Sequence, residues 1–338
     1  IENAYSNFPL RRWDKLEAYW NEAHQLFLSS GNLIWAEKCQ PGVTWALMIN
    51  GRAQESLPIL QASHAFTQQI ESVWEETEVV RNLGLNHLEL GDYGQAIKCI
   101  QRAEKLSEQA TIPTVKTMSC IYTGMAQRAV LSLKAAKATL ITHLEESLLT
   151  EEPNIISDWF VSELCAVCAL GHEWEEAHHY AKLALTLRNK FSLIPIGFAG
   201  WYETEALLWG GDKDLARSDV ERFAEMVGIP KRYRLPLLRS QAVLARWDGD
   251  VAQAIDHLEG GLALAREMGL PGEEWPILGE LGKLYGELEE EEKALQAYKD
   301  AALIIHRLAE TIDDEGLREG FLTASPIQSI FKNSRPEK

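Results

Sequence analysis

Long apolar runs are missing from this 338-residue sequence, and nothing in it approaches the roughly 18 residues that a membrane crossing needs. The opening IENAYSNFPLRRWD also lacks the charged-then-apolar order of a signal peptide, so no membrane association is expected. Cysteine is scarce. The five residues Cys39, Cys99, Cys120, Cys165 and Cys168 lie on apolar stretches without disulfide-framework spacing, which predicts reduced thiols and a cytoplasmic protein. Positive charge is short too: 33 Lys and Arg stand against 50 Asp and Glu, a net charge of −17, with no basic block. Such a surface repels a phosphate backbone, so no direct nucleic-acid binding is expected. The sequence contains no Gly-x-x-x-x-Gly-Lys-Ser/Thr loop, no Gly-x-Ser-x-Gly elbow and no His-Glu-x-x-His pair. A non-enzyme without catalytic residues or cofactor is the expectation.

What the sequence does have is a period. Small residues recur at Ser56, Ala96, Ala136, Ala177, Ala216, Ala254 and Ala294, spaced 40, 40, 41, 39, 38 and 40. Each opens an apolar stretch that reads as a second helix, and twelve residues before it stands another compact residue: Thr44, Gly84, Gly124, Cys165, Thr204, Ala242 and Gly282. Two compact residues per unit imply two helices that cross closely. One such hairpin cannot bury its apolar face alone, so neighbours must stack, and the predicted product is a curved solenoid with an exposed binding face. With 46% apolar and 25% charged residues the chain has the composition of a folded protein.

The second unit shows the pattern most fully. In EVVRNLGLNHLELGDYGQAIKCIQRAEKLSEQA, Gly84 permits close approach, Gly91 supplies a left-handed turn, Ala96 and Ala103 mark the crossing, and Ile100 fills the gap. The last unit repeats this with Leu281-Gly282, Tyr285, Ala294, Tyr298 and Ala301, and Gly211 and Gly249 provide turns before Ala216 and Ala254. In the middle units Leu131 stands where the turn glycine belongs, and Gly171 comes one residue early. These residues closely resemble a tetratricopeptide repeat, in a lengthened form, and the resemblance covers nearly the whole chain. It implies an all-α, right-handed α-solenoid of about seven antiparallel helix pairs with terminal capping helices. The long period and the ending ALIIHRLAETIDDEGLREGFLTASPIQSIF also resemble the C-terminal repeat regions of bacterial signal-transduction ATPases of the maltose-regulator type and related repeat-tailed ATPases, cyclases and kinases.

Residues 1–32 are expected to be a capping helix or the remnant of an upstream repeat, with Trp13, Leu16, Trp20, Leu26 and Phe27 apolar and Gly31-Asn32 as the stop. Residues 33–310 hold seven repeats, 311–333 a capping segment with Leu317, Phe321 and Leu322 over the last pair, and 334–338 a disordered tail. A start at Ile1 rather than Met fits an excised or processed piece of a longer protein.

In the resembled family, ligands lie in the concave groove lined by the first helix of each pair. The equivalent positions here are Trp45, Arg81, Leu85, Met125, Arg128, Trp159, Trp201, Glu205, Trp209, Arg239, Arg246 and Trp247, a set rich in Trp and Arg, the types that dominate binding hot spots. The alternative is that the Trp side chains fill gaps between repeats. Leu85, one turn after Arg81, replaces the Asn of the family's carboxylate clamp, which argues against acidic C-terminal peptides. Cys165-x-x-Cys168 with His172, His178 and His179 offers zinc-type ligands, but both cysteines fall where a compact crossing residue is required, so no metal is expected. The acidic residues at 287 and 289–292 read as a solvated turn. The expected function is a scaffold that binds a protein, a peptide or a small inducer, as the sensor of a larger bacterial signalling protein; a free-standing adaptor or assembly factor is the alternative. Trp201→Ala combined with Arg246→Ala is expected to weaken partner capture with helical content unchanged, measured by pull-down and circular dichroism.

Overall fold

The computed structural model describes residues 13–70, 72–109, 113–148, 155–191, 197–226 and 230–335. Among them are seventeen helices and no strand. Helix α1 (Trp13–Ser29) precedes seven hairpins: α2 (Leu33–Ile49) with α3 (Ala53–Gln69), α4 (Val73–Glu89) with α5 (Tyr93–Ser107), α6 (Pro113–Ala129) with α7 (Leu133–Leu148), and α8 (Ile155–Leu170) with α9 (Trp174–Phe191). There follow α10 (Trp201–Trp209) with α11 (Lys213–Met226), α12 (Lys231–Trp247) with α13 (Val251–Met268), and α14 (Pro271–Glu287) with α15 (Glu291–Glu310). Helices α16 (Glu315–Thr323) and α17 (Ser325–Asn333) close the array. The solenoid is all-α, as the periodicity predicts, and no described helix is long and apolar enough to cross a membrane.

Every hairpin turns in the same way. The residue five before each anchor has a positive φ: Gly51, Gly91, Leu131, His172, Gly211, Gly249 and Glu289. The next amide then bonds back across the turn, as in Asp92 N to His87 O at 2.9 Å and Ser132 N to Gln127 O at 2.8 Å, which satisfies carbonyls at the end of the first helix. Leu131, His172 and Glu289 thus adopt the left-handed region without being glycine, at a steric cost the flanking helices impose. His172, not Gly171, takes this role in the fourth hairpin. Asn32, Asp92, Asp250 and Asp314 cap the helices that follow by accepting a backbone N–H three residues on.

The crossing residues predicted from the period are all buried. A Cβ at Gly84 would lie 2.6 Å from Ile100, one at Gly124 would lie 2.7 Å from Leu140, and one at Gly282 would lie 2.8 Å from Tyr298. In each case the opposing side chain stands four residues after the anchor, so glycine on one helix makes room for a large residue on the other. At the ends, Leu16 and Trp20 of α1 pack onto the core, whereas Leu26 is 62% exposed, because its position lies off the buried stripe that Ala23 continues. Phe321 is fully buried in the C-terminal cap while Leu317 and Leu322 are half-buried. The chain does not stop at Pro326: Pro sits in the first turn of α17, whose Ile327 and Ile330 complete the cover. From residue 336 on, the tail lies outside the described residues.

The array comes round on itself. Tyr93 N–H donates to Thr311 Oγ1 at 3.0 Å, Lys98 pairs with Asp313 at 2.7 Å, and the Tyr93 ring meets Phe321 edge-on at 6.1 Å. Gly94 allows this approach, since a Cβ there would collide with the Thr311 carbonyl oxygen. Across the same joint Arg232 donates to Glu89 at 2.5 Å, residues 143 apart in sequence. The second hairpin therefore abuts the seventh and the C-terminal cap, closing one superhelical turn.

A buried charge cluster fixes helix α10 within this turn. Arg188 of α9 donates to both oxygens of Glu203 on α10 at 2.6 and 2.7 Å, lies 2.8 Å from Asp158 of α8, and lies 3.9 Å from Asp219 of α11. Arg188 thus faces three carboxylates, of which Asp219 also pairs with Arg222 at 2.6 Å. Burial pushes the Asp158 carboxyl above the usual range, Arg188 opposes this, and Glu203 and Asp219 add to it. With its native value raised, Asp158 favours folding below its ordinary value of about 4 and loses that contribution as pH rises toward the native value. Asp158→Asn should therefore gain stability over the wild type at pH 8 and lose that advantage toward pH 4, read from urea midpoints. By the same measurement Gly84→Ala is expected to cost about 1–3 kcal/mol through overpacking against Ile100. Glu289→Gly is expected to add about 1 kcal/mol by relieving the left-handed turn.

Candidate functional site

The turn is tight enough that inner helices of the first, fourth and sixth hairpins come together across the axis. Trp45 of α2 meets Trp159 of α8 at 6.0 Å and Phe198 at 6.2 Å, Tyr122 of α6 meets Trp159 at 5.5 Å, and Phe198 meets Tyr233 of α12 at 5.3 Å. Arg81 is buried, with its guanidinium 5.3 Å from the Tyr122 ring centre and 2.6 Å from Glu78. Leu85 is buried as well. Trp45, Arg81 and Trp159 therefore plug the middle of the superhelix instead of lining a groove, because the groove has no width where hairpins one, four and six converge.

Elsewhere along the axis the inner helices stand apart and line a cavity of about 940 Å³. Met125, Arg128, Trp201, Glu205, Trp209, Arg239, Arg246 and Trp247, all drawn from the first-helix positions of the sequence, lie on its wall. Trp174, Tyr202, Arg232, Glu273, Trp275, Glu280, Lys283 and Tyr298 join them, as do Tyr93 at the seam and Ile330 of the cap. The period could not reveal the last two, whose place on the wall depends on closure. The single-helix reading likewise passed over Trp275 and Glu280, although α14 is a first helix and its register is plain in the repeat.

The cations on this wall are held by carboxylates. Arg128 donates to Glu163 at 2.7 Å, Arg232 to Glu273 at 2.8 Å, and Arg239 to Glu273 at 2.9 Å. Arg246 reaches Glu280 at 3.4 Å and Glu287 at 2.7 Å, and Lys283 donates to Glu280 at 2.6 Å. Burial works against the charge of Glu273, yet Arg232 and Arg239 overcome it and hold its carboxyl below the ordinary range. The Arg239 guanidinium also lies 3.7 Å from the Trp201 ring centre. On α10, Trp201, Glu205 and Trp209 are successive turns of one face. Trp209 stacks on Trp174 at 5.4 Å and 4° and remains 58% exposed, and Trp247 is 52% exposed. Burial, reinforced by Glu280 and opposed by Arg239, Lys283 and Arg246, pushes the Glu205 carboxyl up to about 7.

The Cys/His set does not come together. Cys165 is buried at the crossing and its thiol is pushed far up by burial. Cys168 lies with Glu173 and Glu176, their ligand atoms within 4.8 Å, but the Lys137 ammonium already pairs with both carboxylates and burial lifts the Cys168 thiol to about 12. His178 is 2.7 Å from Asp212, and His172 packs on Trp174 at the cavity wall. In the acidic run, Glu287 and Glu290 pair with Arg246 and Lys293.

Residues 82–109, the hairpin of α4 and α5, match the tetratricopeptide repeat model. Among curated proteins none matches the chain in sequence. A Rap protein crystallised with competence and sporulation factor is similar in fold, with a TM-score of 0.64 at 12% identity over 88% of this chain and 82% of that one. The apo form of RapI gives a TM-score of 0.46 at 12% identity, covering 88% of this chain and 85% of that one. A human IFIT1 dimer with m7Gppp-AAAA gives 0.45 at 13% identity, covering 86% and 65%. The chain thus contains one hairpin that matches the tetratricopeptide repeat and shares the fold of a helical-repeat solenoid.

Proposed function

We propose that this chain is a non-catalytic, cytoplasmic receptor that takes a short peptide, or a flexible segment of a partner protein, into the cavity of its closed superhelical turn. One observation carries the reading: a cavity of about 940 Å³ presents two half-exposed tryptophans, Trp209 and Trp247, on a wall whose arginines and lysine are already paired with carboxylates. Exposed indoles enclosed by a rigid scaffold are the side chains from which binding hot spots are built. The volume lies in the range of sites for small ligands, so it holds a short stretch of chain or a small inducer rather than a folded domain. The Rap structure, whose fold is similar and which holds a bound factor, supports the same use of this architecture.

The seam gives such a receptor a means of signalling. A ligand that touches α10, α12 and α14 together favours the closed turn over an opened one, by as much as its affinity for the two differs. That bias could pass to an effector domain in a larger bacterial signalling protein of the kind the lengthened repeats resemble. Without such a domain the same cavity would serve an adaptor that holds its partner constantly.

Titration of the protein with randomised hexapeptide mixtures, followed by tryptophan fluorescence, tests the reading. The wild type should bind a subset of mixtures. Trp209→Ala with Trp247→Ala should lose about tenfold or more in affinity while its far-ultraviolet circular dichroism stays unchanged. Failure of every mixture to bind, or turnover of nucleotide by this chain alone, would contradict the proposal.

A further inference from the structure

The wall of the cavity has one carboxylate too many. Every guanidinium and ammonium on it is held by an acid, but Glu205 accepts no hydrogen bond and closes no ion pair among the described residues. It stands on α10 between Trp201 and Trp209, one turn from each. From α12 it is faced by Arg239 and Arg246, and from α14 by Glu280 and Lys283. None of these cations is free to serve it. Arg239 is committed to Glu273 and to the Trp201 ring, and Arg246 and Lys283 are committed to Glu280, with Glu287 also on Arg246.

Glu205 is half-buried, and a carboxylate so placed without a partner is unfavourable unless it is protonated or meets a cation. Burial and the neighbouring Glu280 favour the first remedy by lifting the Glu205 carboxyl to about 7. The second requires something from outside. The net charge of −17 draws cations toward the molecule, and the adjoining Trp209 ring, 58% exposed, offers a π-face of the kind that Arg239 already uses on Trp201.

We propose that Glu205 anchors a cationic group of the ligand, an ammonium or guanidinium that rests against Trp209, so the cavity selects basic peptides over neutral or acidic ones. This deepens the receptor reading above and rests on it. The specificity is opposite to that of a carboxylate clamp: the arginines look suited to acids, but their charge is spent inside the wall. It also carries a pH signature. A bound cation keeps Glu205 ionised, so affinity for a basic ligand should climb as pH rises through about 7, where the empty protein gives up that proton, and level off above.

The test uses N-acetylated hexapeptide mixtures in which one position is fixed in turn as Arg, Lys, Gln or Glu, with matched mixtures bearing a free amino terminus. The wild type should bind the best Arg- or Lys-fixed mixtures at least tenfold more tightly than their Gln-fixed counterparts, and the affinity should rise from pH 6 to pH 8. A tenfold gain from the free amino terminus alone would identify the terminal ammonium as the cation instead of a side chain. Glu205→Gln should erase both the preference and the pH dependence while peptides still bind. If peptides bind without a preference for cations, or if the variant keeps that preference, the inference is overturned and the receptor reading stands. If no mixture binds the wild type, the receptor reading itself fails and takes the inference with it. Should Glu205→Gln not fold, a flat pH profile for the wild type is sufficient to overturn the proposal.

Discussion

A helical hairpin of this size cannot bury its own apolar face, so each one is stable only when stacked on the next. From that constraint the rest follows. The compact residues at each crossing keep the two helices of every hairpin close, the left-handed turn five residues before each anchor keeps the hairpins alike, and like units stacked alike generate a steady curvature. Seven of them come round until Tyr93 of the second reaches Thr311 beyond the seventh. Closure then divides the interior. Where inner helices meet across the axis, Trp45, Trp159 and Phe198 make a core; where they stand apart, Trp209 and Trp247 face a void.

The electrostatics follow from the same geometry. Three arginines of the inner helices find their carboxylates on the neighbouring hairpin: Arg128 on Glu163, Arg239 on Glu273, Arg246 on Glu280 and Glu287. Such pairs join adjacent units and leave little positive potential in the cavity. Breaking the Arg128–Glu163 pair would leave the buried Glu163 carboxylate uncompensated, which is more costly than the pair itself is favourable. The Arg188 cluster works the same way between the fourth and fifth hairpins and holds α10 in place, so the residues that furnish the cavity depend on a polar core well behind them.

Local order was readable in the sequence and global order was not. The anchors from Ser56 to Ala294, the glycine opposite Ile100 and the turn at Gly91 are short-range requirements of one hairpin, and each leaves its mark within some twenty residues. The left-handed turns at Leu131 and His172 were not read from the residues, since leucine replaces the glycine in one hairpin and Gly171 stands one residue early in the other. Closure has no local mark at all. It is the sum of small rotations over the whole array, and it decides that Trp45 and Arg81 pack inward while Glu205 and Trp201, at the same offsets from their anchors, reach a cavity. Within the capping segment, Pro326 lies in the first turn of a helix, where proline serves as a start.

Zero-length carbodiimide coupling of the intact monomer, followed by peptide mass spectrometry, tests the closed turn directly. Lys98 and Asp313 are exposed, 2.7 Å apart and more than two hundred residues apart in sequence, and closure predicts an intramolecular link between them. Lys213 and Asp248, 2.6 Å apart on the neighbouring fifth and sixth hairpins, form the internal standard, since any stacked solenoid would link them. Recovery of both links is the predicted result. Recovery of Lys213–Asp248 without Lys98–Asp313 would mean an open arc, and the enclosed cavity would not exist.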